Sequence, residues 1–321
     1  MNSLSKPRRL LIENVEQAYK IINPVFLNSP QFESPSLSAL LDLSLTLKVE
    51  TINPIRCFKG RGAEVISSSI KNQRAIVCAS AGNFGQAMAF SCTARNIPIT
   101  VFAAVNANPF KIERMRALGA EVILEGADFD SAKLAAKTYA EQSDASFVED
   151  GLHIGSLEGA GTIGLELCKL NSKPEVILIP LGNGALYNGI ATVIRNFLPN
   201  TKLIAVQAMG APAMTESFRS GTIVNHEEVK TIADGIAVRL PIPESIEDMQ
   251  GLVDDMILVQ ESSIIKSMQL IHQHAGIICE PSGAVGLAAL LEHTGDFKKK
   301  KIATVLCGGN LTASQVKDWL I

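Results

Sequence analysis

From Ala75 onward, short apolar, β-branched runs alternate with segments of helical periodicity, and this order constrains the fold more than any other feature of the chain. Strands joined through helices return parallel to one another and build a sheet covered on both faces. The runs predict strands at residues 75–79, 99–103, 121–124, 176–179, 202–206 and 302–306. Helices are expected at 85–94, 110–118, 131–142, 159–170, 189–197, 262–274 and 283–293. Two stretches break the alternation, 147–159 and 225–260, and the first has the character of a crossover between domains. With 321 residues, 47% of them hydrophobic, the chain exceeds one ordinary core.

A net charge of −3 leaves no electrostatic footprint for nucleic acid, and the one basic run, Lys298 to Lys301, leads directly into a strand-like segment. Residues 176–194 are long and uncharged, but Pro180, Asn183, Asn188 and three glycines make them a buried strand, loop and helix rather than a membrane span. Lys6, Arg8 and Arg9 are followed by only a brief apolar patch before Glu13, so no secretory leader is expected. The six cysteines form no CxxC pair and sit mostly among apolar or small residues, as reduced thiols do in cytoplasm.

In open parallel sheets the chemistry lies in loops leaving the carboxyl ends of strands. Ser80-Ala81-Gly82-Asn83 opens a helix with small residues and exposed N–H groups, either an ordinary N-cap or a carboxylate receptor. Gly182-Asn183-Gly184-Ala185-Leu186 can curl around a monophosphate, although it has neither P-loop nor dinucleotide spacing. Cys307-Gly308-Gly309-Asn310 ends the last strand with a thiol, inert or a weak donor. Lys59, between Phe58 and Gly60 just before an apolar helical run, suits a lysine that reacts with a carbonyl; a solvated surface lysine is the plain alternative.

Taken together, KVETINPIRCFKGRGA around Lys59, SAGNFGQAMA from Ser80, PLGNGALYNG from Pro180, TIADGIAV from Thr231, EPSGAVGLAAL from Glu280 and LCGGN from Leu306 resemble the serine/threonine dehydratase (threonine ammonia-lyase) family. VNANPFKIERMRALGAEVIL and EGAGTIGLEL also look like that family, so the resemblance spans nearly the whole chain. It implies a fold-type II pyridoxal-phosphate enzyme, tryptophan-synthase-β-like, with two open twisted α/β domains of mostly parallel sheets. A large cofactor-binding domain would comprise residues 1–74 plus 151–321, and a small substrate-closing domain residues 75–150.

By matched position, Lys59 would be the Schiff-base lysine and catalytic base, with Phe58 packing near the cofactor, pyridoxal 5′-phosphate. Asn83 would bond its 3′-oxygen, Gly182, Asn183, Gly184, Ala185 and Leu186 would cradle its phosphate, and Cys307 would face its ring nitrogen. Ser80, Ala81, Gly82 and Asn83 would hold the substrate carboxylate, with Gly235 beside the substrate. The implied reaction is β-elimination of water from threonine, serine or a bulkier β-substituted serine, the β-hydroxyl leaving with a proton from the cofactor phosphate, to give a 2-oxo acid and ammonia. The implied partners are a small amino-acid substrate and a second subunit in a homodimer, with neither nucleic acid nor membrane. β-Replacement, racemisation and a non-catalytic cofactor-binding protein are the alternatives.

Several positions depart from the family pattern. Ala81 stands where serine racemase has a second serine, which favours elimination over racemisation, and Phe84 replaces a frequent histidine. Gln207 and Ala213 occupy places where metal-activated members carry carboxylates, so no cation is expected. Asn183 replaces a glycine and is expected to keep the turn by tolerating positive φ. The chain ends at Ile321 without the regulatory extension of biosynthetic threonine deaminases, so feedback by isoleucine is not expected. His153, with Glu149 and Asp150, lies where substrate would enter.

Overall fold

The computed structural model describes residues 8–321; Lys6, one of the basic residues weighed against a leader, lies outside them. Among the described residues ten strands are formed: β1 (Gln31–Glu33), β2 (Ser44–Val49), β3 (Ile76–Ala79), β4 (Ile99–Ala103), β5 (Glu121–Leu124), β6 (Ser146–Val148), β7 (Val176–Pro180), β8 (Lys202–Ala208), β9 (Asp255–Val259) and β10 (Lys301–Leu306). They assemble into two sheets. A six-stranded sheet runs β1-β2-β10-β7-β8-β9, parallel except for the edge strand β1, and a four-stranded sheet runs β5-β4-β3-β6, all parallel.

β3, β4 and β7 are buried along their whole length, as strands covered by helices on both faces must be. Their Val, Ile and Ala runs supply that apolar surface without polar alternation. The helices expected from periodicity form within a few residues of their places, with one larger shift. The segment expected to begin at 159 is helical from Ile154 through Leu167, because His153 caps it: Nδ1 accepts the N–H of Gly155 at 3.1 Å. The irregular crossover thus shrinks to the few residues between β6 and this helix.

Two other differences have physical causes. β2 carries Lys48 as its penultimate residue, which masks a strand in the sequence; here that lysine is buried against Glu166 at 2.5 Å. In the irregular 225–260 stretch, β9 pairs with β8, and Pro243–Met249 forms a helix with proline at its start. Among the described residues no helix is long and apolar enough to cross a membrane.

The helix Lys59–Ser69 lies where the sheets meet. Its Ala63, Val65 and Ile66 share one buried cluster with Ile76 and Cys78 of β3, Val101 of β4 and Met88 of the helix Asn83–Thr93. On its other side it touches the helix Ile154–Leu167 so closely that a Cβ added to Gly159 would lie 2.4 Å from the amide nitrogen of Gly62.

Beneath it sits a closed set of four charges. Arg61 donates from Nη1 to Glu166 Oε1 at 2.7 Å and from Nη2 to Glu50 Oε1 at 2.9 Å, and Lys48 completes the set. None of these side chains is more than 2% exposed, and the charges cancel two against two. Lys59, two residues before Arg61, is therefore placed by a buried ionic network.

Candidate active site

A cavity of about 710 Å³ opens between the two sheets, and the loops at the carboxyl ends of β3, β6, β7 and β10 converge on it. Lys59 reaches it from the start of its helix. Its Nζ lies 2.5 Å from Asp150 Oδ2 and 4.7 Å from the centre of the Phe58 ring, and its side chain is 14% exposed. Phe58 is held in turn by donation of its N–H to the carbonyl of Cys307 at 3.0 Å, so the lysine and the end of β10 are tied together.

After β3, the hydroxyl of Ser80 accepts the N–H groups of Gly82 at 3.1 Å and Gly85 at 2.9 Å. Ser80 thereby shapes the turn, and the helix Asn83–Thr93 presents its N-terminal end to the cavity with Ala81 and Gly82 on the wall. Such an end attracts a carboxylate. Asn83 is fixed on both sides of its amide: Nδ2 donates to Glu280 Oε1 at 2.7 Å, and Oδ1 accepts from Asn310 Nδ2 at 2.8 Å. One amide hydrogen of Asn83 remains for a ligand. Phe84, buried at 5% exposure, also lines the cavity.

After β7, Gly182, Asn183 and Gly184 form a turn ahead of the helix Ala185–Phe197. It is Gly184, with φ +95°, that takes the left-handed conformation, and Asn183 does not; the expectation of positive φ at Asn183 is corrected. The asparagine side chain has other work, since its Nδ2 donates to the carbonyl of Asp150 at 2.9 Å. Ser245 donates from Oγ to the carbonyl of Asn183 at 2.6 Å and holds the turn from behind. The N–H groups of Gly182, Asn183 and Gly184 take no acceptor among the described residues, which leaves an anion cradle at a helix N-terminus. Leu186 lines the cavity, whereas Ala185 is buried behind it and does not.

At the end of β10, Cys307 lines the cavity from a buried position, and burial, reinforced by Glu280, pushes its thiol far above the ordinary range. It stands as a neutral group. Gly235 lies in a short turn, Asp234–Ile236, and its carbonyl comes within 3.1 Å of where a Cβ on Gly182 would be, so these two loops are in contact.

Sequence reasoning missed two residues here. Glu280, buried, accepts from Asn83 and from the N–H of Asn310 at 2.9 Å, and burial, with Asp234 nearby, raises its carboxyl to about 7. It was visible only as the first letter of a motif. Lys111 pairs with Asp234 across the cavity mouth and stands 3.8 Å from where a Cβ on Gly82 would lie. His153 is used as a helix cap and does not line the cavity, while Glu149 at the wall is paired with Lys133 at 3.0 Å and Lys137 at 3.2 Å. Gln207 accepts from Thr215 N and Oγ1 at 3.1 and 2.9 Å, and Glu216 pairs with His226 at 2.6 Å.

An amine, an anion cradle and a neutral thiol lining one cavity fit a carbonyl-bearing, singly phosphorylated cofactor. The loop at Gly184 fits a phosphate, because a Cβ there would lie 1.9 Å from Ser245 Oγ and push the turn apart. Ser282 Oγ, buried at the cavity wall without a partner among the described residues, leaves a further polar group for a ligand.

The profile of the family described as "Pyridoxal-phosphate dependent enzyme" matches residues 22–308, and the chain belongs to that family. It is 34% identical over 310 residues to an L-threonine ammonia-lyase of Thermotoga maritima, covering 96% of this chain and 77% of that one. Its structure is similar to that of the processed form of threonine deaminase isoform 2 from Solanum lycopersicum, with TM-score 0.87 and 30% identity over 99% of this chain and 96% of that one. It is also similar to maize serine racemase, with TM-score 0.89 and 26% identity over 96% and 97%. The protein is thus a fold-type II enzyme dependent on pyridoxal phosphate.

Proposed function

We propose that this protein is an ammonia-lyase that removes water from a β-hydroxy amino acid, threonine or serine or a bulkier relative, to leave a 2-oxo acid and ammonia. The observation that carries the reading is the placement of the Lys59 amine in one cavity with the Gly182–Gly184 cradle and the helix end at Ser80–Asn83. The names of the similar proteins, threonine ammonia-lyase and threonine deaminase, support the same reaction class.

Bound pyridoxal phosphate supplies an electron sink that acidifies the substrate's Cα proton. The N–H groups of Gly182, Asn183 and Gly184 bind its phosphate, and Asn83 orients its ring oxygen. Cys307, a neutral thiol, does not hold the ring nitrogen protonated as a carboxylate would, which favours prompt loss of a β-leaving group. The helix end at Ala81 and Gly82 fixes the substrate carboxylate, and thereby the face of Cα that meets Lys59. Lys59, its amine in the same cavity, would take the Cα proton as general base. Ala81, in place of a second hydroxyl, supplies no base for the opposite face, which favours elimination over racemisation.

Residues 75–150 act in this reading as a small domain that closes on the rest, and the pairs Lys111–Asp234 and Arg239–Asp130 clasp it across the mouth. The enzyme works as a homodimer in the cytoplasm, a compartment suited to its six free cysteines. Lys59→Ala tests the assignment: turnover and covalent uptake of the cofactor should both be lost, and retained turnover would remove Lys59 from the mechanism.

A further inference from the structure

The contact between Lys59 and Asp150 is not accounted for by holding a cofactor. Asp150 follows β6, lines the cavity and places Oδ2 2.5 Å from the lysine nitrogen. Its Oδ1 is buried and has no partner among the described residues, and its backbone carbonyl is pinned by Asn183 of the cradle at 2.9 Å. A carboxyl group so fixed, with one oxygen on the base and the other free, lies between the atom that removes the Cα proton and the loop that binds phosphate.

We propose that Asp150 is the general acid for the leaving hydroxyl, a catalytic role that rests on the ammonia-lyase reading above. Lys59 takes the proton from Cα and becomes an ammonium. Its N–H bond breaks toward Asp150, whose carboxylate becomes a carboxylic acid. Asp150 then protonates the β-oxygen as the Cβ–O bond breaks; the Cα–H electron pair closes the Cα=Cβ double bond, and the C–O pair leaves with oxygen as water. One proton leaves Cα and one arrives at oxygen, so lysine and aspartate are restored together. The β-carbon is one bond from Cα, so a group in contact with the base is within reach of the β-oxygen. The proton then comes from the protein, not from the cofactor phosphate.

The test compares L-serine with β-chloro-L-alanine, whose chloride departs without a proton, in the loaded wild type, Asp150→Asn and Asp150→Glu. Visible absorbance of each loaded protein, and its response to added amino acid, reads cofactor attachment independently of turnover. The expected result is an Asp150→Asn protein that keeps the absorbance and its response, while kcat on L-serine relative to β-chloro-L-alanine falls by ~100-fold or more, the range of general acid catalysis. Asp150→Glu should recover part of that ratio. An unchanged ratio overturns the proposal, as does failure of both variants to take up the cofactor, which would make Asp150 structural. If the wild type releases product from the chloro compound but from no L-β-hydroxy amino acid, the ammonia-lyase reading itself falls, and this proposal with it.

Discussion

Asn83 and Glu280 lie 197 residues apart and meet through a 2.7 Å hydrogen bond from Nδ2 to Oε1. The bond joins the helix end after β3 to the loop that follows the helix Glu261–Ala275, and Asn310 closes the same network from the end of β10. Three loops of the cavity are thereby held in one arrangement.

Glu280 makes that arrangement sensitive to pH. Burial, and then Asp234, raises its carboxyl from 4.5 to about 7 against the pull of the Asn310 N–H, Lys111 and Asn83. A carboxyl raised in the folded state holds more protons folded than unfolded, so stability should fall as pH rises from 4.5 to about 7, by about 3 kcal/mol for this group. Glu280→Gln should flatten this slope, measured as urea midpoints across that window. An equally steep slope in the variant would place the titration elsewhere.

Gly184 is the position in the cradle least able to accept a side chain. Gly184→Ala is expected to lose about 1–3 kcal/mol of stability through its left-handed backbone and the collision with Ser245. Titration of visible absorbance should also show weaker cofactor binding. Unchanged binding would separate this loop from the phosphate.

The four buried charges under Lys59 predict a different pattern. Glu166→Gln leaves Arg61 and Lys48 short of a counter-charge in a dry interior and should cost about 3–5 kcal/mol in urea unfolding. Because Arg61 shares a helix with Lys59, weaker cofactor attachment should accompany the loss. A variant as stable as the parent would show that the network has relaxed or admitted water.

The parallel α/β architecture was legible because strands such as 176–179 are uniformly apolar and bounded by turns, and the glycine and asparagine loops announce themselves by residue type. Lys48, Glu280 and Lys111 were not legible for the opposite reason. A charged residue inside a strand, a motif or a helix reads as solvated until its partner is known, and the partners here, Glu166, Asn83 and Asp234, lie 118, 197 and 123 residues away. Asn183 was expected to carry the strained backbone of its turn, but a side chain that bonds the Asp150 carbonyl leaves that conformation to the neighbouring glycine.

The measurement that bears most directly on the account is release of 2-oxo acid and ammonia by the purified, pyridoxal-phosphate-loaded protein. The panel would include L- and D-serine, L- and D-threonine, allo-threonine and L-threo-phenylserine. The account predicts stoichiometric release of both products from at least one L-β-hydroxy amino acid, with none from Lys59→Ala. No release from any of them, while the absorbance still responds to added amino acids, would contradict it.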